Sequence, residues 1–302
     1  MATFVAGPAT VSVPATSANL GPGFDSLGLA LELRDRVTGE ITDAGVEITV
    51  SGAGAGEVPV DENHLVYKAM RLGFDAMGCT PPGVRLHCEN VIPHGRGLGS
   101  SSAAIVGGLC LARALVAGGS LLLDDDVVYT LAATMEGHPD NVAPALFGGF
   151  TIACPDGERF LAASVSVDPR VQVVVYVPTQ PLETSVARGL LPESVPHVEA
   201  ARNAGRAALL VAALSRQPEL LFPATEDLLH QRYREPAMPD TLALVRTLRA
   251  ERVPAVVSGA GPTVLAFADT STVEPLLARA PEGWEAMALG VDRAGAVVQH
   301  AW

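Results

Sequence analysis

Apolar and polar residues alternate over short segments in the first third of the chain, a pattern typical of half-buried β-strands. It predicts strands at residues 10–13, 27–33, 40–42, 46–50 and 84–89. Further strands are predicted at residues 149–153, 172–177, 255–258 and 264–267. The last two bracket a glycine-rich turn, which indicates a strand–loop–strand unit near the end of the chain.

Apolar residues at helical spacing predict helices between these strands. The predicted helices cover residues 63–77, 102–117, 127–135, 195–214, 225–231 and 241–251. Three aspartates at 124–126 precede the third helix, and an N-terminal cap is a more typical role for them than a metal site. Because strands and helices follow one another irregularly, we expect an α+β fold rather than a regular parallel β/α array.

The chain length favours two closely joined domains. With 302 residues, it exceeds the size at which one hydrophobic core usually stops growing. We expect the chain to pass into the second domain around residues 162–168, which predicts a first domain at 1–165 and a second at 166–302. Apolar residues make up 48% of the chain, enough for a substantial core.

The net charge and the cysteines of the chain indicate which binding partners and which cellular compartment to expect. Acidic residues outnumber basic ones, 33 against 20, so the formal net charge is −13. Such a chain repels nucleic acid and anionic membranes at long range, and we expect neither as a partner. No apolar run is long enough to span a bilayer, and residues 1–13 do not resemble a signal peptide. We predict that the cysteines are buried free thiols in a reducing cytoplasm. They are Cys79, Cys88, Cys110 and Cys154.

A glycine-rich turn with three serines leads from a predicted strand into a predicted helix. Glycines let backbone N–H groups approach an anion, and the positive end of the helix would face the same anion. This arrangement predicts a nucleotide phosphate site, although a flexible turn or a helix cap remains an alternative. The Walker and dinucleotide-binding patterns are both missing. The residues concerned are Pro93, His94, Gly95, Arg96, Gly97, Leu98, Gly99, Ser100, Ser101, Ser102 and Ala103.

Four further segments, in this order and with these separations, make the prediction specific. They are PATSANLGPGFD at residues 14–25, EGHPDN at 136–141, HQ-x-YR at 230–234 and SGAGPT at 258–263. With the glycine-rich turn, they resemble the signatures of the galactokinase, homoserine kinase, mevalonate kinase and phosphomevalonate kinase (GHMP) superfamily, and within it the homoserine kinases. The resemblance implies an N-terminal nucleotide-binding domain, a C-terminal ferredoxin-like domain and an active site in the cleft between them.

The resemblance also implies ATP and Mg²⁺ as cofactors. Ser100 and Glu136 match the metal ligands of the family, although a surface position at the end of a helix is the alternative for Glu136. Asn63 matches a position that contacts the base, but an asparagine before an apolar helix is equally an ordinary N-cap. Residues 258–263 are expected to support the phosphate turn from the second domain.

The implied acceptor is L-homoserine, which carries an ammonium, a carboxylate and a hydroxyl group. Asp25 is the candidate for the ammonium, and Arg188 and Arg234 for the carboxylate, because guanidinium groups contact carboxylates at two points. By resemblance, Asn19, His138, Asn141 and Thr184 also line this pocket. We expect catalytic roles for Asn19, Asn141 and Arg188. A homodimer is also implied.

Related sugar and mevalonate kinases place an aspartate where this chain has Asn141, and a basic residue where it has Ala15 and Thr16. An amide cannot take a proton, so we expect no dedicated general base. Asp140 remains a rival base. Two other functions also stay open: a kinase of another small alcohol such as mevalonate, shikimate or a sugar, and a nucleotide-binding regulator without catalysis.

Overall fold

The computed structural model describes residues 3–300, which form two β-sheets with helices packed against them. The strands of this range are β1 (Ala9–Ala18), β2 (Leu27–Thr42), β3 (Gly45–Gly52), β4 (Gly83–Asn90), β5 (Phe150–Asp156), β6 (Arg159–Val165), β7 (Gln172–Val177), β8 (Ala255–Val257), β9 (Val264–Ala268), β10 (Glu285–Leu289) and β11 (Val297–His300). The helices are α1 (Leu65–Ala76), α2 (Ser100–Ala114), α3 (Gly119–Leu122), α4 (Asp125–Glu136), α5 (Val142–Phe147), α6 (Thr184–Gly189), α7 (His197–Ser215), α8 (Leu221–Ala224), α9 (Pro239–Ala250) and α10 (Val273–Leu277). Short 3₁₀ turns at Pro218–Leu220 and Gln231–Ala237 precede and follow α8.

The larger sheet combines the strands of the first 165 residues with the last strand, β11. In the described residues its order is β11-β1-β2-β4-β3, with β5 paired to β2 and β6 paired to β5. Strands β3 and β4 are parallel, and α1 forms the crossover between them. Since β11 pairs with β1, the chain returns to this sheet after it has built the second one. The domain division at residues 165 and 166 stays a prediction.

The smaller sheet is antiparallel and has the order β10-β7-β9-β8. Helices α7 and α9 lie between β7 and β8 in the chain, and α10 lies between β9 and β10. This β-α-β-β-α-β succession is the ferredoxin-like arrangement. It confirms the predicted α+β fold with a ferredoxin-like second unit.

Helix α2 is packed on nearly all sides, which fixes where its N-terminus lies. Its apolar sequence carries no polar face, as expected of a helix inside a core. A Cβ at Gly108 would lie 2.4 Å from the carbonyl oxygen of Val66 in α1. Only glycine therefore allows α1 and α2 to approach this closely.

The predicted bounds of α2 differ from the observed ones. The helix begins at Ser100, directly after Gly99 in the left-handed conformation (φ 70°), and ends at Ala114 rather than spanning residues 102–117. Beyond Ala114 the chain turns to form a bridge between Val116 and Phe4. Tertiary pairing therefore decides where this helix ends.

Residues 225–230 are irregular and Gln231 begins a 3₁₀ turn, so the helix predicted at residues 225–231 is wrong. The Asp227 carboxylate accepts hydrogen bonds from the backbone N–H groups of Leu229, His230 and Gln231, at 2.9, 3.1 and 2.7 Å. Local bonds of this kind offer the backbone an alternative to the helical pattern.

Two smaller predictions have different outcomes. The Asp124 carboxylate accepts a 2.9 Å hydrogen bond from the N–H of Val127, which confirms the predicted cap of α4. Cys79, Cys88 and Cys110 are buried free thiols, as predicted, but Cys154 is exposed. It is exposed because it lies on the part of β5 that extends beyond the core.

Among residues 3–300, none of the helices combines the length and the apolar character needed to span a lipid bilayer.

Candidate active site

Most of the residues singled out in the sequence meet around a cavity of about 230 Å³, formed where loops of both sheets come together. The predicted residues that line it are Asn19, Gly95, Gly97, Gly99, Ser100, Ser101, Glu136, His138, Asp140, Asn141, Thr184, Arg188, Arg234, Gly259 and Ala260. An adjoining cavity of about 280 Å³ shares Ser100 and Ser101 with it and is also lined by Asn63, His94 and Ala103. Asp25, Pro93, Arg96, Leu98 and Ser102 line neither. Two larger cavities, of about 560 and 570 Å³, contain none of the residues predicted to bind ATP, Mg²⁺ or the acceptor.

The glycine-rich turn is held in place from two directions. On one side, the Leu98 carbonyl accepts a 3.0 Å hydrogen bond from the N–H of Thr16 in β1. On the other, the Gly97 carbonyl accepts a 2.6 Å hydrogen bond from the Ser258 hydroxyl, so residues 258–263 support the turn as expected. The Arg96 guanidinium donates to the carbonyls of His94, Pro178 and Thr179, which directs it toward the segment after β7 and away from the cavity.

The N-terminus of α2 opens into the cavity without a side-chain cap. Its first N–H groups, those of residues 100–102, have no acceptor within the helix by the geometry of an α-helix. The Ser101 and Ser102 hydroxyls do not cap the helix either, because they donate to Oε1 of Glu136 at 2.5 and 2.8 Å. An uncapped helix end with free N–H donors is a ready site for an anion such as phosphate.

Glu136 is the last residue of α4, and its side chain reaches across to the start of α2. The two serine bonds engage Oε1, while Oε2 takes neither of them. Carboxylate and hydroxyl oxygens are the ligands that Mg²⁺ prefers, and Ser100 and Glu136 both line the cavity beside the helix end. The donor set present here therefore fits a magnesium ion.

A strained segment after β1 contributes Asn19 to the lining of the cavity. Asn19 and Asp25 both have positive φ, 66° and 54°, and such strain concentrates at functional sites. The Asn19 amide joins them, since its Oδ1 accepts from the N–H of Asp25 at 2.9 Å. Its Nδ2 donates to the Gly259 carbonyl at 2.8 Å, which links the segment to the second sheet.

Asp25 and Arg188 form an ion pair with each other. Both nitrogens of the guanidinium fork donate to the carboxylate, Nη2 to Oδ1 at 2.6 Å and Nη1 to Oδ2 at 3.1 Å. The hydrogen bond to Asp25 raises the pKa of Arg188. The candidate partners of the ammonium and the carboxylate of a zwitterion are therefore neighbours. Each of them already pairs with a group of opposite charge.

Arg234 is a buried and incompletely paired cation at the cavity wall. It is 1% exposed, its Nη1 donates to the Gly259 carbonyl at 3.1 Å, and its Nε has no partner among the described residues. Burial, followed by the charge of Arg188, lowers the pKa of Arg234 to about 10. A buried guanidinium with free donors favours binding of an anionic group.

The EGHPDN segment also places His138 and Asp140 at the lining of the cavity. His138 Nδ1 lies 2.9 Å from Oδ1 of Asp140. Burial lowers the pKa of His138, but the hydrogen bond and the charge of Asp140 outweigh it, so the pKa is raised. The carboxylate of Asp140, the rival base, is therefore already engaged with His138.

The adjoining cavity is mainly apolar, with Val13, Val37 and Val66 among its lining residues. Asn63 is exposed at its edge, and its backbone N–H donates to Asp61 at 2.8 Å. It does not cap α1, because the N-cap position is His64 and no side chain caps that helix. The N-cap alternative for Asn63 is therefore wrong.

Sequence reasoning missed two buried polar residues at these cavities. Thr16 contacts Asn141, and the signal for it lay in the segment at residues 14–25, which was noted without a role for this residue. Asp35 lines the adjoining cavity from the middle of β2. Its neighbours in the chain, Arg34 and Arg36, are charged too, and no strand was predicted at residues 34–39, so no sequence signal marked it.

Asp35 carries a testable pH dependence. Its Oδ1 accepts hydrogen bonds from the N–H groups of Val91 and Ile92, at 2.6 and 2.9 Å, but burial dominates and raises its pKa to about 6. Between pH 3.8, which is the usual pKa of an aspartate, and about pH 6, the folded protein holds a proton that the unfolded chain releases. This group therefore lowers the stability of the fold as pH rises through that window.

We expect Asp35→Asn to raise the free energy of unfolding by about 1–3 kcal/mol at pH 8, because the neutral amide oxygen keeps both hydrogen bonds without a buried charge. The gain should stay constant above about pH 7 and shrink between about pH 6 and pH 4, where only the folded wild-type protein holds the proton. Urea unfolding of both proteins at several pH values measures it. A difference that does not change with pH would contradict the assignment.

Comparison with known proteins agrees with this geometry. The family model described as the GHMP kinases N terminal domain matches residues 64–149. The homoserine kinase of Streptomyces coelicolor is 54% identical over 295 residues, which cover 98% of this chain and 96% of that protein. The solved structure of a putative homoserine kinase from Listeria monocytogenes is 30% identical, with a TM-score of 0.78, and covers 97% of this chain and 100% of its own. A homoserine kinase structure from Cytophaga hutchinsonii shares the fold, with a TM-score of 0.84 at 24% identity and 97% coverage of both chains. These similarities extend over both sheets and all the segments that form the cavity, so the chain belongs to the homoserine kinase family of the GHMP kinases.

Proposed function

We propose that the protein transfers the γ-phosphoryl group of ATP to the side-chain hydroxyl of L-homoserine, giving O-phospho-L-homoserine for threonine synthesis. One observation carries the proposal: the uncapped N-terminus of α2, an anion site, shares a cavity with Arg188 and Arg234. Phosphate and a small acid would thus be held side by side. The names of the relatives support this acceptor.

The acceptor would bind by exchanging partners with the Asp25–Arg188 pair. Its carboxylate would bind Arg188 and the buried Arg234, and its ammonium would bind Asp25. Each protein charge then keeps a partner of opposite sign, so binding does not leave a desolvated charge unpaired. A neutral sugar offers neither charge, and mevalonate offers only the carboxylate. Asn19, His138 and Thr184 would complete the walls of this pocket.

The triphosphate would lie along residues 93–103 at the end of α2. The backbone N–H groups of this turn would contact the phosphate oxygens, and the base would enter the adjoining apolar cavity next to Asn63. Ser100 and Glu136 would hold Mg²⁺, which neutralises developing charge on the transferred phosphoryl group when it is bound. The hydrogen bonds from Ser101 and Ser102 would orient Glu136 for this role.

Catalysis would depend on positioning and on charge stabilisation. Phosphoryl transfer requires little covalent help from the protein, provided that the acceptor oxygen and the γ-phosphate are aligned. Asn19 and Asn141 would align the hydroxyl, and Arg188 would fix the acid that carries it. The hydroxyl proton would pass to a phosphate oxygen, directly or through water, because the amide of Asn141 cannot accept it.

A coupled ADP-release assay tests the function. We expect turnover with L-homoserine and ATP in the presence of Mg²⁺, and about 10²-fold or more lower kcat/KM with mevalonate, shikimate or galactose, since charged partners would be left unmatched in the cavity. Omission of Mg²⁺ should abolish turnover. Strong turnover with another acceptor would show that this acceptor, rather than homoserine, is the substrate. ATP binding without turnover on any acceptor would favour a regulator. A homodimer and a cytoplasmic location remain further proposals.

A further inference from the structure

The Thr16 hydroxyl is a buried polar group that the proposed chemistry does not yet use. Thr16 is 0% exposed, lies on β1 and lines neither of the two cavities. Its Oγ1 donates a 2.8 Å hydrogen bond to Oδ1 of Asn141, which is 125 positions away in the chain. A threonine hydroxyl has a single proton to donate, and here that proton is committed to the amide oxygen of Asn141.

This bond decides which end of the Asn141 amide the cavity meets. Asn141 lines the cavity and is 9% exposed. With Oδ1 held by Thr16, the Nδ2 group, which carries two hydrogens, is turned toward the cavity. Rotation of the amide by half a turn would bring its oxygen there instead, next to phosphate oxygens that it would repel.

The space around Thr16 shows that the contact is tightly constrained. A Cβ at Gly99 would lie 1.9 Å from the Thr16 Oγ1 and 3.2 Å from the Asn141 Oδ1. The backbone N–H of Thr16 also donates to Leu98 in the phosphate turn, at 3.0 Å. One residue thus contacts both the phosphate turn and the group that would align the acceptor hydroxyl.

We propose that Thr16 is a positioning residue: its hydroxyl holds the Asn141 amide with Nδ2 facing the acceptor and the γ-phosphate. This inference rests on the proposed function, because it requires that Asn141 aligns the reacting groups. It also gives a physical reason why an amide serves here without a neighbouring base. The Nδ2 donor of Asn141 faces the cavity, and its Oδ1 acceptor is occupied by the hydrogen bond from Thr16.

The test compares Thr16→Val, which keeps the shape but removes the hydroxyl, with Thr16→Ser, which keeps the hydroxyl. We expect Thr16→Val to lower kcat about 10- to 100-fold, because small misplacement of an aligning group has effects of this size. The KM values for ATP and homoserine should change less than about 3-fold, and Thr16→Ser should retain most of the turnover. Thr16→Ala repeats the test if the valine variant does not fold. Unchanged kcat in a folded variant without the hydroxyl would overturn the proposal.

Thr10 provides a matched control on the same strand. Its hydroxyl bonds that of Thr38 at 2.8 Å, away from both cavities, so Thr10→Val should leave kcat unchanged. An equal loss of kcat in this variant would show a general effect of hydroxyl removal from β1 and would overturn the proposal.

A double-mutant cycle separates this inference from the proposed function. If Thr16 acts through Asn141, Thr16→Val should cause no further loss in an Asn141→Ala background. Losses that multiply would overturn the positioning role but leave the function intact. Wild-type turnover of Asn141→Ala alone would instead contradict the proposed role of Asn141, and the inference with it.

Discussion

Gly97→Ala should reduce kcat/KM for ATP by about 10²-fold or more. Gly97 has a φ of 74°, and a Cβ there would lie 2.3 Å from the Ser258 carbonyl oxygen and 2.8 Å from that of Gly261. These are backbone atoms, so no side-chain rotation relieves the contact. The phosphate turn and the loop between β8 and β9 would have to separate, which would shift the N–H groups that are proposed to bind the triphosphate. Initial rates at varied ATP concentration measure the effect.

Gly118→Ala is the matched control for this experiment. Gly118 has nearly the same conformation, with a φ of 73°, but a Cβ there meets no atom within 4 Å. Its replacement should cost about 1–2 kcal/mol of stability through backbone strain alone. Turnover should remain at the wild-type level. A similar loss of kcat/KM in both variants would show that strain, rather than the close approach of the two loops, is responsible.

Arg234→Met should raise KM for homoserine by about 10²-fold, because a charge-assisted contact to the substrate carboxylate is lost. The stability of the fold should stay constant or increase. The side chain is buried, its Nε has no partner among the described residues, and burial lowers its pKa to about 10. Replacing such a cation by an apolar side chain of similar shape often stabilises a protein. Steady-state kinetics with varied homoserine and urea unfolding measure the two effects.

Arg246→Met serves as the control, because Arg246 is an exposed arginine whose Nη1 lies 2.7 Å from Glu235. It should change neither KM nor stability by much, as is usual for surface ion pairs. If Arg234→Met lowered stability while KM for homoserine stayed constant, Arg234 would be a structural residue. A binding role predicts that Arg234→Met weakens the binding of homoserine while the stability of the fold stays constant or increases.

Local signals made parts of the fold predictable. Strand β7 was predicted with its observed bounds, and the cap of α4 followed from Asp124, because alternation and capping depend on neighbours in the chain. The helix predicted at residues 225–231 failed because the Asp227 carboxylate captures three backbone N–H groups instead. Strand β2 was predicted as two separate strands, since the charges around Asp35 interrupt its apolar pattern. In the fold, the Asp35 carboxylate is buried against the N–H groups of Val91 and Ile92, which lets the strand continue.

The sequence by itself determined which chemical groups would be available at the site. Glycines that permit a tight turn, a helix that starts directly after it and the segments at 14–25 and 136–141 are all local features of the chain. Only the tertiary structure decided how those groups are partnered. Asp25 pairs with Arg188 across 163 positions, Thr16 reaches Asn141 across 125, and Arg234 is enclosed without a full set of acceptors. Pairing and burial depend on atoms brought together from distant parts of the chain, and no local pattern encodes which atoms those are.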